Sequence, residues 1–398
     1  MEVNKSTLIK IIFIIIFFIS TFTAEFFYRD PLFNNSVKIA EKLQDKLSSL
    51  INFFDFYTYL GKIDYILITL VLLFFPVSYC YAFCLTVILT WHLAAYLKMI
   101  YGNGRPAFTD INIQKFKFSG ANGYGNPSGH SYRSCSNYLA LAQIIIDIWE
   151  LKVLPRILIY IGVAILILIV NLSRVVLGAH SINQVIFGDT LGFTEYFIIF
   201  QIIKPHLRKS QIFFERFLKI KYHIYNWILL LIIILYSTLA SIICEKERHN
   251  SKEKDYIAKA MNSALAFTSY YGMIYGLTAL AYITKSNYYG NYNSVNYYYR
   301  NSKTKWYINY PIKLILVLIC FFPYIANFIK FKNIDQIYIY IFGNALPMFI
   351  YGFLYFGPYF IINIILKISN KDIYNINKEP LLNNLDYNLG LDEEDIIL

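Results

Sequence analysis

Residues 154–174 read LPRILIYIGVAILILIVNLSR. The segment is almost entirely apolar, and about 20 such residues suffice for a helix to cross a bilayer. Similar runs recur along the 398 residues, of which 57% are hydrophobic and only 15% are charged, with a mean hydropathy of +0.45. The predicted fold class is therefore all-α, a polytopic helical membrane protein.

The apolar runs predict about ten transmembrane helices. They lie near residues 8–27, 63–79, 81–101, 129–148, 154–173, 183–203, 226–244, 263–283, 309–329 and 337–360. Four parts follow from this spacing. They are an anchor helix with a non-cytosolic amphipathic segment (1–62), a core that holds three polar motifs (63–225), additional transmembrane helices (226–368) and an acidic cytosolic tail (369–398).

The first apolar run follows Lys5 and Lys10, as in a signal anchor or a signal peptide. Residues 21–24 make a poor cleavage site, which favours an anchor. Segment 28–62 would then lie outside the cytosol, where the sequon Asn34-Asn35-Ser36 would be usable.

The basic residues orient the chain. Its formal charge is +11, but Lys and Arg are spread through loops, which favours contact with anionic lipid over nucleic-acid binding. Segment 204–221 is almost purely basic and is predicted to be cytosolic, whereas segment 244–262 alternates basic and acidic residues. Counting helices back from 204–221 places all three polar motifs at the non-cytosolic face.

The first motif is Pro127-Ser128-Gly129-His130 at the start of a predicted helix. Proline is favoured in the first helical turn, and the backbone N–H groups of Ser128 and Gly129 would face an anion at the helix N-terminus. His130 would lie beside that anion, where it can donate a proton to a leaving oxygen. Taken alone, the motif fits an ordinary capped helix equally well.

Two further motifs add cations and a second histidine. In Ser173-Arg174-x5-His180, a neutral imidazole can attack phosphorus, and Arg174 can bind two phosphate oxygens. In Lys98-x6-Arg105-Pro106, both cations would offset charge on a phosphoryl group. Each cation alone fits a side chain that extends from a helix end to the membrane surface, but the three motifs together indicate phosphate chemistry.

The three motifs resemble the signature of the type 2 phosphatidic acid phosphatase and haloperoxidase superfamily, K-x6-RP, PSGH and SR-x5-H-x3-D. The resemblance spans about residues 63–203. It implies a six-helix acid-phosphatase-like core and metal-free hydrolysis of a phosphomonoester, with no cofactor. It also implies that His180 is the nucleophile, that His130 is the general acid, and that five residues bind phosphate. These are Lys98, Arg105, Ser128, Gly129 and Arg174.

One position departs from the signature. The family's Asp, which orients the nucleophilic histidine, is replaced by Gln184. A glutamine carbonyl can still accept the Nδ1–H bond of His180 but brings no negative charge, so we expect a weaker nucleophile. The glucose-6-phosphatase branch resembles the chain in this glutamine. Asp189, nine residues after His180, is not expected to take its place. Asp110 is a possible histidine partner but is predicted to be a solvated loop carboxylate, and His92 is predicted to be a packing residue.

The leading hypothesis is an integral membrane phosphatase for a lipid phosphate such as phosphatidate. It would act at the lumenal or extracellular face of the endoplasmic reticulum, another endomembrane or the plasma membrane. The alternatives are a lumenal sugar-phosphate phosphatase, favoured by Gln184 and by the helices after residue 225, and a non-catalytic protein that retains the fold. The expected partners are the phosphorylated substrate and membrane lipids, with no nucleic acid. Five cysteines without CxxC pairing support neither a disulfide framework nor a metal site.

Overall fold

The computed structural model describes residues 5–64, 66–67, 70–71, 77–114, 116, 123–203 and seven single positions between 224 and 242. Every regular element in this part of the chain is helical. We number the α-helices α1 (Lys5–Lys46), α2 (Ile51–Tyr57), α3 (Val77–Tyr101), α4 (Pro106–Thr109), α5 (Gly129–Ile148), α6 (Val153–Val176) and α7 (Ile182–Tyr196). Short 3-10 turns occupy Ser48–Leu50 and Thr58–Lys62, and a π-helical stretch, Phe197–Ile203, extends α7.

Four predicted helices are present with nearly the predicted bounds. They are the runs at 81–101, 129–148, 154–173 and 183–203, which correspond to α3, α5, α6 and α7. Among the described residues, three helices are long and apolar enough to cross a membrane: Lys5–Lys46, Val153–Val176 and Ile182–Ile203. The predicted helices from 226 onward fall outside the described residues apart from single positions, and 63–79 is described only in part, so the count of ten stays a prediction.

Helix α1 is longer than the sequence indicated. The apolar run predicted a helix over 8–27, but α1 continues through Pro31 to Lys46. Its second half is held by packing, because Ala40 lies in a buried cluster with Ala107 and Ile113. The sequon serine, Ser36, is buried, and its hydroxyl accepts a hydrogen bond from the backbone N–H of Ile182 at 2.9 Å. The sequon therefore lies in a packed helix rather than in an open segment.

Helix α5 is the central element, and glycines allow α7 to lie directly on it. A Cβ at Gly188 would lie 2.6 Å from the carbonyl oxygen of Ser128, and one at Gly192 would lie 2.6 Å from that of Tyr132. Close approach through small residues is typical of helices packed inside a membrane. These contacts fix the second half of α7 against the first turn of α5.

The polar side chains of α5 face other helices rather than lipid. The Tyr132 hydroxyl donates to a carboxylate oxygen of Glu195 at 2.5 Å, and Thr90 donates to the other oxygen at 3.0 Å. These bonds join α3, α5 and the end of α7 at a point where water is excluded. As a result, the ends of α3 and α6 lie beside the starts of α5 and α7, where the three sequence motifs meet.

Candidate active site

The motif that begins at Lys98 meets the motif Pro127–His130 where α3 ends and α5 begins. A Cβ at Gly129 would lie 3.4 Å from the Lys98 ammonium nitrogen, so the absence of a side chain there leaves room for this cation. Lys98 lies in the last turn of α3 and is partly buried. A cation beside a helix N-terminus forms a site that favours an anion, because the helix end adds partial positive charge.

Ser128 caps α5 and also joins α5 to α7. Its hydroxyl oxygen accepts from the N–H of Ser131 at 3.4 Å and from the hydroxyl of the same residue at 2.9 Å. Its own N–H donates to the carbonyl oxygen of Gln184 at 2.9 Å. The expectation that this N–H faces an anion is therefore wrong, because the close packing of α7 uses it.

His130 is buried one residue into α5. The turn Thr58–Lys62 covers its ring, since a Cβ at Gly61 would lie 2.8 Å from both Cβ and Cδ2 of His130. Within the described residues, the Nε2 atom of His130 is buried and has no hydrogen-bond partner. Buried polar atoms are usually paired, so an unpaired one in a polar site indicates a place for a ligand.

The second histidine reaches the site through a tight turn after α6. The backbone N–H groups of Ala179 and His180 both donate to the carbonyl oxygen of Arg174 at 3.1 Å. Gly178 makes this turn possible with a φ of +60°, where a Cβ would also lie 2.3 Å from Ile113. Arg174 is fully buried, and its guanidinium donates to the Thr58 hydroxyl.

His180 is held at both ring nitrogens. Its Nδ1 lies 3.1 Å from the side-chain oxygen of Gln184, and its Nε2 lies 2.9 Å from a guanidinium nitrogen of Arg105. The Gln184 amide nitrogen donates to the carbonyl of Gly104 at 2.8 Å, so the amide oxygen must face the histidine. This network assigns the proton to Nδ1 and leaves a lone pair on Nε2.

Arg105 is fixed mainly by backbone carbonyls. Its guanidinium donates to Gly123 at 2.6 Å, to Ala179 at 2.8 Å and to Tyr124 at 3.1 Å. Arg105 is 3% exposed, so these bonds compensate the loss of hydration. One arginine thereby joins the loop before α5 to the turn that carries His180.

The electrostatic surroundings keep His180 neutral. Burial lowers its pKa well below the usual 6.5, and the charges of Arg105, Arg174 and Lys98 lower the pKa further. The hydrogen bond to Gln184 opposes this shift without reversing it. A neutral imidazole whose Nε2 carries no proton is the nucleophilic form, and the lone pair of this Nε2 accepts a hydrogen bond from Arg105.

Four residues near the site were missed in the sequence. Arg133 lies one turn after Gly129, donates to its carbonyl at 3.0 Å and pairs with Asp64 at 3.2 Å. Lys62 lies half-buried in the Thr58–Lys62 turn, and desolvation together with the charges of Arg174 and Arg133 lowers its pKa to about 8.

Arg133 could have been found from its i+3 spacing to His130. Thr58, Gly61 and Lys62 lie outside every motif, so nothing in the sequence marked them.

The other polar candidates have different partners. Asp189 accepts from the Asn171 amide at 2.5 Å, and Asp110 accepts from the backbone N–H of Asn112 at 2.9 Å. The His92 ring stacks near the Tyr96 ring, with 6.4 Å between centroids. In the described part of the chain, no group of three or more His, Cys, Asp and Glu is arranged to hold a metal ion.

The family comparison covers this set of residues. Residues 65–208 match the model of the PAP2 superfamily, and the match contains all three motifs. Over these residues the chain is similar to the PAP2 superfamily. No solved structure matches the chain. The PAP2 match begins after the Thr58–Lys62 turn, so helix α1 and that turn contact the PAP2 site from outside the matched residues.

Proposed function

We propose that the protein is an integral membrane phosphatase that hydrolyses a phosphomonoester through a phosphohistidine on His180. The observation that carries the proposal is the pair of contacts on the His180 ring, with Gln184 at Nδ1 and Arg105 at Nε2. The first contact fixes the tautomer, and the second brings a cation to the nitrogen that would attack. The PAP2 match supports the same reaction class.

In the first step, the Arg105 N–H that binds Nε2 of His180 would shift to a phosphate oxygen. The Nε2 lone pair then attacks phosphorus, and the bond to the leaving oxygen breaks. His130, whose buried Nε2 has no hydrogen-bond partner among the described residues, would donate a proton to that oxygen, so the product leaves as an alcohol. The negative charge of the bound phosphate favours the protonated form of His130. Lys98, Arg105 and Arg174 would offset charge on the three non-bridging oxygens, and the Ser128 hydroxyl would donate to one of them. The lack of a side chain at Gly129 would leave room for the phosphate beside Lys98.

In the second step, water attacks the phosphorus of the phosphohistidine. His130 now accepts a proton from the water, and the bond between phosphorus and Nε2 breaks. Inorganic phosphate leaves, and His180 returns to its neutral form. The same cations act in both steps, and every proton moves between His130 and oxygen.

We propose a lipid phosphate such as phosphatidate as the substrate, because α2 has one apolar face on the site region and another facing outward. Phe54 packs with Val176, Leu177 and Ala179 at the end of α6. Phe53 and Phe56 remain 45% and 67% exposed. A short helix with exposed aromatic side chains suits the membrane interface, where a lipid head group could reach the site from the bilayer. The basic segment 204–221 supports a lumenal or extracellular face for this site.

A sugar phosphate is the second candidate, and Gln184 favours it. Replacement of the carboxylate by an amide is the feature that the chain shares with the glucose-6-phosphatase branch. A third possibility, a protein that keeps the fold without catalysis, is opposed by the presence of both histidines and every cation of the motifs.

Phosphate release by the purified protein tests these candidates. Phosphatidate in mixed micelles and glucose 6-phosphate would be compared with and without EDTA. Release from phosphatidate, reduced by about 10⁴-fold or more in His180→Ala, is expected. Release from glucose 6-phosphate alone would select the sugar-phosphate branch. No release from either substrate by folded protein would favour the non-catalytic form.

A further inference from the structure

A buried charged pair lies on α1, outside the three motifs. Glu25 is fully buried, and Arg29 binds it through two hydrogen bonds of 2.9 and 2.7 Å. Arg29 also lies over the ring of Tyr101, 4.6 Å from its centroid. A buried charge within a predicted membrane helix is costly, so its presence suggests a role beyond packing.

The free sides of the Glu25 carboxylate bind the loops that lead into the site. One oxygen accepts from the Asn126 amide at 3.1 Å, and the other accepts from the Tyr101 hydroxyl at 3.3 Å. Asn126 is two residues before Ser128, and Tyr101 ends the helix that carries Lys98. Glu25 therefore contacts two chain segments that lead to the phosphate position, one at Asn126 and one at Tyr101.

Asn126 extends this contact further along the loop that joins Tyr101 to Arg105. Its amide also donates to the side-chain oxygen of Asn103 at 3.4 Å, and the backbone N–H of Gly125 donates to the carbonyl of Asn103 at 2.8 Å. Both side-chain partners of the Asn126 amide are acceptors, which fixes its orientation. Asn103 is two residues before Arg105, so one carboxylate holds the approaches to Ser128 and Arg105 together.

We propose that Glu25 is a positioning residue that sets the distance between the Arg105 loop and the Ser128 loop. The proposal rests on the proposed function, because it assigns Glu25 an effect on phosphate binding. Glu25 does not contact the phosphate position itself. It acts through Asn126 and Tyr101, and loss of its charge is expected to let the two loops separate.

The test is Glu25→Gln, measured by steady-state kinetics and by competitive inhibition with inorganic phosphate. A glutamine keeps the size but loses one acceptor and the charge, so the fixed contacts cannot all remain. We expect KM and the inhibition constant for phosphate to rise together by about tenfold, with kcat changed by less than about threefold. The matched control is Glu41→Gln on the same helix, whose partner Asn112 lies in an exposed loop. No change is expected there.

A second experiment separates positioning from stability. In Asn126→Ala the carboxylate has lost its connection to the Ser128 loop, so adding Glu25→Gln should raise KM by less than about twofold further. Independent, multiplied effects would overturn the proposal, as would a loss of thermal stability with an unchanged phosphate inhibition constant. If wild-type protein neither hydrolyses substrate nor binds phosphate, the proposed function fails instead. Activity in the wild type with unaltered Glu25→Gln kinetics refutes only the role of Glu25.

Discussion

Residues 98–184 contain the side chains that would contact phosphate. Residues 5–64 contain residues that pack against those side chains or form hydrogen bonds with them. The first region carries Arg105, His130, Arg174 and His180. In the second region, Thr58 receives a hydrogen bond from Arg174, and Gly61 packs on His130. The PAP2 match starts at residue 65 and so separates the two regions almost completely. The difference suggests that chemistry resides in the matched domain while its precision depends on an N-terminal element outside it.

The largest expected effect within the matched region belongs to His130. In His130→Ala, hydrolysis of an alkyl phosphate should fall by about 10²–10⁴-fold, because the alkoxide would leave without a proton. An aryl phosphate with a nitrophenolate leaving group needs no such proton and should lose less than about tenfold. Turnover of both substrates by wild type and variant gives the answer. Equal losses on the two substrates would mean that His130 binds phosphate rather than donating a proton.

The N-terminal region can be tested at Gly61. In Gly61→Ala, the new Cβ would lie 2.8 Å from His130, so the ring must move. We expect kcat to fall by about tenfold, because small displacements of a catalytic group are costly. Gly162→Ala is the control, since a Cβ at that position meets nothing within 4 Å. If both variants keep full activity, the Thr58–Lys62 turn does not determine the position of His130.

The contrast between the regions also explains what could be predicted. Four helices and the three motifs follow from apolar runs and from residue spacing, which are local features. The contact between Glu25 and Asn126 joins residues 101 positions apart, and no periodicity signals it. The extension of α1 through Pro31 was missed for a related reason. Packing of Ala40 and the bond at Ser36 outweigh the local preference of proline, and both depend on the folded core.

Gln184 lies in the matched region, and replacing it by aspartate would restore the residue that the family signature has at this position. In Gln184→Asp, a carboxylate would face Nδ1 of His180 and favour the imidazolium, which raises the pKa of this histidine. The acid limb of kcat/KM should therefore move to higher pH, because a protonated His180 cannot attack. At pH values above the acid limb, kcat should rise by about threefold, since the carboxylate stabilises the cationic ring that forms in the reaction. The pH profile of each protein measures this, with Gln184→Glu as a test of reach.

An unmoved acid limb in Gln184→Asp would show that position 184 does not act on the nucleophile. Loss of activity without a shift of the acid limb would point instead to the hydrogen bond that the Gln184 amide donates to the Gly104 carbonyl, because an aspartate carboxylate has no N–H to donate. Gln184→Asn separates these outcomes, because it retains an amide and removes one methylene without adding charge.

Lys62 gives the smallest expected effect and belongs to the N-terminal region. Its pKa of about 8 means that the side chain is cationic at pH 7 and largely neutral at pH 9. If this charge assists the approach of an anionic substrate, kcat/KM should fall by about threefold as pH rises through 8. The kcat/KM of Lys62→Met should be lower than that of the wild type at pH 7 and should show no fall near pH 8. The kcat/KM of Lys62→Arg should remain high at pH 9. The substrate's second phosphate pKa of about 6 lies below this range, and the pKa of His180 is lowered below 6.5, so neither produces the step. A step retained in Lys62→Met would assign it to another group and confine the N-terminal contribution to packing.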